Sequence, residues 1–284
     1  MLDLTDRQDL RWLAAVVADL RSAAPTADML LVGAAARDVL LSYAHGIALA
    51  RATSDVDLAL AVPDWRAFEA LREQLVESGR FERLPGRTQR LRHRSGIGID
   101  LIPFGGVERA DGSVAWPPDY AEVIDVLGFA EARASAIQVG LPNNQVIHVV
   151  TLPMLAMLKV FTWDDRHRTE PRKDAADLVA ILTNYLDVGH AERLYGEMAH
   201  LLEDDAFDYR IAGAWLVGYD ARALIDRHSR RSGRIVDRLT SVLTREVDVE
   251  GPLRLVGETS GIAAEFMRRL LAAFLAGFSG KRKP

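Results

Sequence analysis

Apolar residues recur at helical spacing between Thr5 and Leu20 (Leu10, Leu13, Val16, Val17, Leu20) and predict a first helix. A short apolar run, "MLLV", then passes through Gly33 into a second helical pattern, "AAARDVLLSYA". "DVDLALAV" alternates with a period of two and reads as a strand. Pro63 to Gly79 predicts an amphipathic helix opening at Pro63-Asp64. "RTQRLRHRSGIGIDLIPFG" predicts two strands joined by a turn at Ser95-Gly96, and "QVIHVVTL" one more strand, entered from the turn-like "LPNN".

The pattern changes after Pro153. "MLAMLKVFTWDDR", "RKDAADLVAILTNYL", "AERLYGEMAHLL", "AGAWLVGYDARALIDRH" and "GIAAEFMRRLLAAFLAG" all read as helices, and the tail "SGKRKP" as a frayed end. The chain therefore predicts an α+β protein. Residues 1–152 form a mixed sheet with helices, and residues 153–284 form a helical half.

With 284 residues, 49% hydrophobic and 26% charged, the composition is that of a soluble globular protein with ample core. A net charge of −5 argues against wholesale electrostatic capture of nucleic acid. The absence of cysteine excludes disulfides and thiolate zinc sites and fits a reducing compartment. No signal-like start and no apolar run of roughly 20 residues is present, so the expected location is cytoplasmic, with no membrane partner.

The candidate chemistry starts with Asp55 and Asp57, which share one face of their strand with Ala59 and Ala61, opposite Val56, Leu58, Leu60 and Val62. Two anions so close repel and cost free energy to desolvate unless a cation sits between them. The plainer alternative has Thr53, Ser54 and Asp55 capping a turn, with Asp57 at the strand edge. Asp100 lies in "GIGIDLIPF", apolar on both faces, where a lone charge needs a partner. Three carboxylates on neighbouring strands suit a hard divalent cation, Mg²⁺ or Mn²⁺. The alternative for Asp100 is a buried salt bridge to a nearby arginine. Gly33, at a strand-to-helix turn, offers backbone N–H groups to an anion, with Arg37 and Asp38 one turn further in; any tight turn could use such a glycine.

In the helical half, Lys159 lies on a helix apolar nearly all round, either snorkelling to water or pointing into a cleft. Lys173 and Asp177 have the spacing of an exposed helix pair. Two arginine-rich stretches stand out. Arg80, Arg83, Arg87, Arg90, Arg92 and Arg94 precede the Asp100 strand, and Arg227, Arg230, Arg231, Arg234 and Arg238 lie in the second half. Arg90, Arg92 and Arg94 would share one strand face, able to meet phosphates. Sparse aromatic interleaving gives no support for base stacking.

Taken together, "LVGAAARD", "RATSDVDLAL" and "GIDLIPF" resemble the polymerase β-type nucleotidyltransferase superfamily. "LPMLAMLKVFTWDDRHRTEPRKDAADLVAILTNY" resembles its AbiEii-like branch, which includes toxins of toxin–antitoxin and phage-defence systems. The resemblance implies a nucleotidyltransferase-type sheet, with the helical half completing a nucleotide cleft. It implies transfer of a nucleoside monophosphate from an NTP onto an acceptor, RNA such as tRNA or a protein, with a cognate antitoxin as a further partner. Asp55 and Asp57 would hold the metals, Asp100 would be third ligand and base, and Gly33 the phosphate-facing turn. Lys159 would bind the triphosphate, with Ala34, Arg37, Lys173, Asp174 and Asp177 as further nucleotide-site positions and Asp165-Arg166 as a brace. Ala34 stands where the family usually has Ser or Gly, which removes a side-chain contact to phosphate. The alternatives are a small-molecule (aminoglycoside-type) nucleotidyltransferase, or a binding protein that keeps the fold with weakened chemistry.

Overall fold

Val56, Leu58, Leu60 and Val62 bury one face of a strand at the middle of an eight-stranded sheet. The structure is a computed structural model that describes all residues except 50–52, 54, 86–87, 167–171, 204–206, 230–231, 249–261 and 282–284. It divides into two units, Met1–Thr151 and Leu152–Pro284.

In the first unit the elements run β1 (Leu2–Asp3), α1 (Arg11–Ala23), β2 (Asp28–Val32), α2 (Gly33–Asp38), β3 (Asp55–Val62), α3 (Trp65–Glu77) and β4 (Phe81–Arg83). Then come β5 (Arg90–His93), β6 (Gly98–Gly105), β7 (Ser113–Ala115), β8 (Val123–Asp125), α4 (Phe129–Ala134), β9 (Ile137–Leu141) and β10 (Gln145–Val149). The large sheet has the order β1-β9-β10-β2-β3-β6-β5-β4, and β7 and β8 form a separate ribbon. β3 pairs antiparallel with β2 and parallel with β6. The central strands therefore carry apolar residues on both faces, and the few charges they hold are conspicuous. The Asp64 carboxylate caps α3 by accepting from the Ala67 amide at 2.8 Å.

The first helix starts later than its periodicity predicts. Asp3 accepts from both the amide and the hydroxyl of Thr5, at 3.0 and 2.7 Å, and ties those residues into a turn. A 3₁₀ turn over Gln8–Leu10 then leads into α1. The short β1, β4, β7 and β8, and the first arm of the β9–β10 hairpin, are additions to the strands read from the pattern.

The second unit contains α5 (Leu152–Arg166), α6 (Lys173–Asn184), α7 (Tyr209–His228), α8 (Ser232–Asp248) and α9 (Ala264–Phe278). "AERLYGEMAHLL" is not one helix but two 3₁₀ turns, Ala191–Tyr195 and Ala199–Glu203. A turn over 196–198 separates them. α7 and α9 cross closely: a Cβ at Gly218 would strike the Phe274 carbonyl, and one at Gly277 the Trp215 carbonyl. A mixed sheet with helices, followed by a helical half, is the α+β class that the sequence predicts. Among the described residues no helix is long and apolar enough to cross a membrane. The predicted frayed tail falls partly on 282–284, outside the described residues.

Candidate active site

The register of two strands, β3 and β6, assembles the carboxylates. Asp57 of β3 lies directly beside Asp100 of β6, and Asp55 beside Gly98. Residues paired across adjacent strands point to the same face, so Asp55, Asp57 and Asp100 share one side of the sheet. On the other edge of β3, Asp57 pairs with Val32, the residue just before Gly33. Gly33 has φ +68°, and a Cβ there would collide with the Asp57 carboxylate. The turn therefore requires glycine twice over, for its backbone conformation and for its closeness to Asp57. From Gly33 the chain is helical through His45, with a π-helical stretch over Val39–Tyr43.

Arg90 of β5 pairs directly across from Asp100. Its guanidinium donates to Asp55 Oδ1 at 2.5 Å and to Asp100 Oδ2 at 3.4 Å, spanning the two strands. Burial pulls its pKa down, but the carboxylates of Asp100, Asp55 and Asp57 more than offset that and hold it above the ordinary arginine value. The Asp55 and Asp100 side chains are 36% and 24% exposed. The Asp100–Arg90 pair is thus partly exposed to solvent rather than sealed in the core. The donor set has the chemistry of a hard-cation site: anionic oxygens from adjacent strands, beside a turn where no Cβ intrudes. In this arrangement no three acidic or histidine side chains among the described residues converge as a metal-holding group.

Arg37 is 3% exposed and bonds Asp38 through Nε at 2.9 Å and Nη2 at 2.5 Å. The Asp38 carboxylate in turn accepts from the Thr53 amide at 3.1 Å, so this buried pair fixes the entry to β3 rather than presenting a cation at the surface. Thr53 also bonds the Asp55 backbone, as the turn alternative foresaw, while Ser54 lies outside the described residues. Ala34 is buried at 4%. Of the strand arginines only Arg90 meets the carboxylates. Arg92 pairs with Glu82 and Arg94 with the buried Asp19 at 2.8 Å, where His93 Nε2 also lies at 2.9 Å. Arg80 reaches Asp19 at 3.4 Å and Arg83 reaches Glu73 at 3.9 Å. Arg87, Arg230 and Arg231 lie outside the described residues.

In the helical unit Lys159 neither snorkels nor faces open space. Its Nζ lies 2.9 Å from Asp174 Oδ1 and 2.5 Å from Asp177 Oδ2, with all three residues buried. Arg166 adds a bond to Asp174 at 2.7 Å, the brace predicted for it. Burial depresses the lysine pKa, but Asp174 and Asp177 outweigh it, so the ammonium titrates above its ordinary range. Burial likewise raises Asp174, and Lys159 and Arg166 outweigh that in the opposite direction. Asp177 therefore serves Lys159 rather than an exposed pair with Lys173, which is half-buried at the start of α6. Asp165 pairs instead with Arg238 at 2.7 Å.

The mixed sheet followed by a helical half is the architecture of the nucleotidyltransferase class that the motifs resemble. The family described as "Nucleotidyl transferase AbiEii toxin, Type IV TA system" matches residues 16–284, and the chain belongs to it. No curated protein shows a significant match.

Proposed function

We propose that this protein transfers a nucleoside monophosphate from an NTP to a hydroxyl or phosphate of an acceptor, RNA or protein, as the toxin of a toxin–antitoxin pair. The observation that carries this reading is the in-register placement of Asp57 beside Asp100, with Asp55 two residues away and the Gly33 backbone pressed against Asp57. Family membership supports nucleotidyl transfer and a cognate antitoxin in general; the metal, the acceptor and the roles of single residues are part of this proposal.

Asp55, Asp57 and Asp100 are the residues that would hold Mg²⁺ or Mn²⁺. When bound there, a divalent ion supplies charge stabilisation to the attacking and leaving oxygens. Gly33 brings backbone rather than side chain to the triphosphate side, since nothing larger fits beside Asp57. The acceptor oxygen forms its bond to the α-phosphorus as the bond to the α–β bridging oxygen breaks, and pyrophosphate leaves. Asp100 takes the acceptor proton, and its partial exposure leaves it accessible for that role. The closed network of Lys159, Asp174, Asp177 and Arg166 supports a bracing role in the helical unit more than direct contact with the triphosphate.

The test is incubation with each labelled NTP, Mg²⁺ or Mn²⁺, and either total tRNA, total protein or aminoglycosides. Label should pass to RNA or protein. Asp57→Asn should abolish transfer with an unchanged melting temperature. Asp100→Asn, which keeps an oxygen but cannot take a proton, should lower single-turnover transfer by about 10²-fold or more. Near-wild-type turnover in Asp57→Asn at saturating metal sinks the reading, and label on aminoglycosides alone reassigns the acceptor.

A further inference from the structure

We propose that Arg90 is a resident counter-cation of the carboxylate site, and that a divalent metal binds by exchanging with its guanidinium on Asp55 and Asp100. The inference rests on the metal-dependent reading above and adds to it a device intrinsic to this chain.

Three observations support the exchange. First, one guanidinium fork bridges two carboxylates on different strands, Asp55 Oδ1 at 2.5 Å and Asp100 Oδ2 at 3.4 Å, rather than gripping one of them. That geometry places positive charge between the anions, where a cation is needed. Second, the strand opposite is shaped for it. Gly98 lies mid-sheet between Arg92 and Asp55 without a left-handed backbone, so no turn demands a glycine there. A Cβ at Gly98 would strike Arg90 Nη2 and come within 2.7 Å of Asp55 Oδ1. A strand glycine costs stability unless something must approach closely, and here the approaching group is the guanidinium. Third, Asp57 lies in register beside Asp100 and two residues from Asp55, so the oxygens that Arg90 occupies belong to the carboxylate set that a divalent ion would use. A divalent ion close to a fixed guanidinium would be repelled by it, so taking up metal requires the fork to let go. The site thus keeps its anions compensated before metal arrives, and Arg90 and the metal compete for the same oxygens.

Mn²⁺ titration of the full chain without nucleotide tests this, comparing wild type with Arg90→Gln by the paramagnetic resonance signal of free Mn²⁺. Removing the competitor should tighten Mn²⁺ binding about tenfold or more. The variant should also melt lower than wild type in EDTA and recover more on adding Mn²⁺. Equal or weaker Mn²⁺ binding by Arg90→Gln, with wild type binding normally, overturns the exchange and leaves the nucleotidyltransferase reading standing. If neither protein binds Mn²⁺ at millimolar concentration, both fail together. Should Arg90→Gln not fold, labelling of wild type with phenylglyoxal decides the matter. Arg90 should be modified faster with Mn²⁺ than with EDTA, and an unchanged rate overturns the proposal.

Discussion

At the scale of single residues, Gly33 has little freedom. Its φ of +68° already disfavours any side chain, and a Cβ would press on the Asp57 carboxylate. Gly33→Ala should therefore displace Asp57 as well as strain the turn, at a cost of about 1–2 kcal/mol from the left-handed backbone alone. Transfer should fall far more than that stability loss accounts for. Urea unfolding and single-turnover rates on the one variant check this, and a proportionate loss of both would reduce Gly33 to an ordinary turn residue. The same residues show what a sequence can disclose. D-x-D in an alternating run and a lone Asp in an apolar strand were legible, because the period of two assigns faces without knowledge of the fold. Which arginine meets them was not. Arg90, Arg92 and Arg94 look alike along the chain, and only the antiparallel register of β5 on β6 sets Arg90 against Asp100 while Arg94 turns to Asp19.

At the scale of elements, α5 and α6 are joined through buried charge. Lys159 is held by two carboxylates that themselves lack access to water, so its removal takes the ammonium from both and leaves Asp174 with Arg166. Lys159→Met should destabilise the protein by about 3–5 kcal/mol at neutral pH, the usual result of breaking a buried pair. The sign of the pH dependence follows from Asp174, whose folded pKa lies below its ordinary value. Its contribution is present above the unfolded carboxylate pKa of about 4 and is lost as pH falls through the folded one. In the variant that depression is relieved, so the stability gap to wild type should be full from neutral pH down to about pH 5 and narrow as the pH falls below about 4. Urea unfolding at about pH 7 and about pH 3 measures it, and a gap independent of pH would contradict the assignment. Such a network was half visible beforehand. The apolar surroundings of Lys159 were plain, but spacing within one helix offered Lys173 as partner to Asp177, whereas the packing of two helices supplied Lys159. α8 is hard to see in the sequence because its arginines dominate that stretch, and the helical spacing of "AERLYGEMAHLL" hides two 3₁₀ segments separated by a turn.

At the scale of the whole molecule, much of the positive charge described in the arginine-rich stretches, the first above all, is compensated within the protein. The net charge is −5, and Arg80, Arg83, Arg90, Arg92, Arg94 and Arg238 are all engaged with carboxylates. Binding of bulk RNA without nucleotide should therefore be weak and only mildly salt-dependent. Fluorescence anisotropy with a labelled tRNA between 50 and 200 mM salt, on the order of the usual range, would show it. Tight binding that collapses with added salt would mean that these ion pairs open to meet phosphates. The pairing of β3 with β6 has a further consequence, for the order of events during folding. Asp57 and Asp100 are brought together by a parallel pairing between segments far apart in the chain, the kind of contact that forms slowly because a long loop must close first. On the proposed reading of Asp55, Asp57 and Asp100, a chain whose central strands have not yet paired would hold its acidic residues on separate segments, and transfer would begin only once that pairing is made.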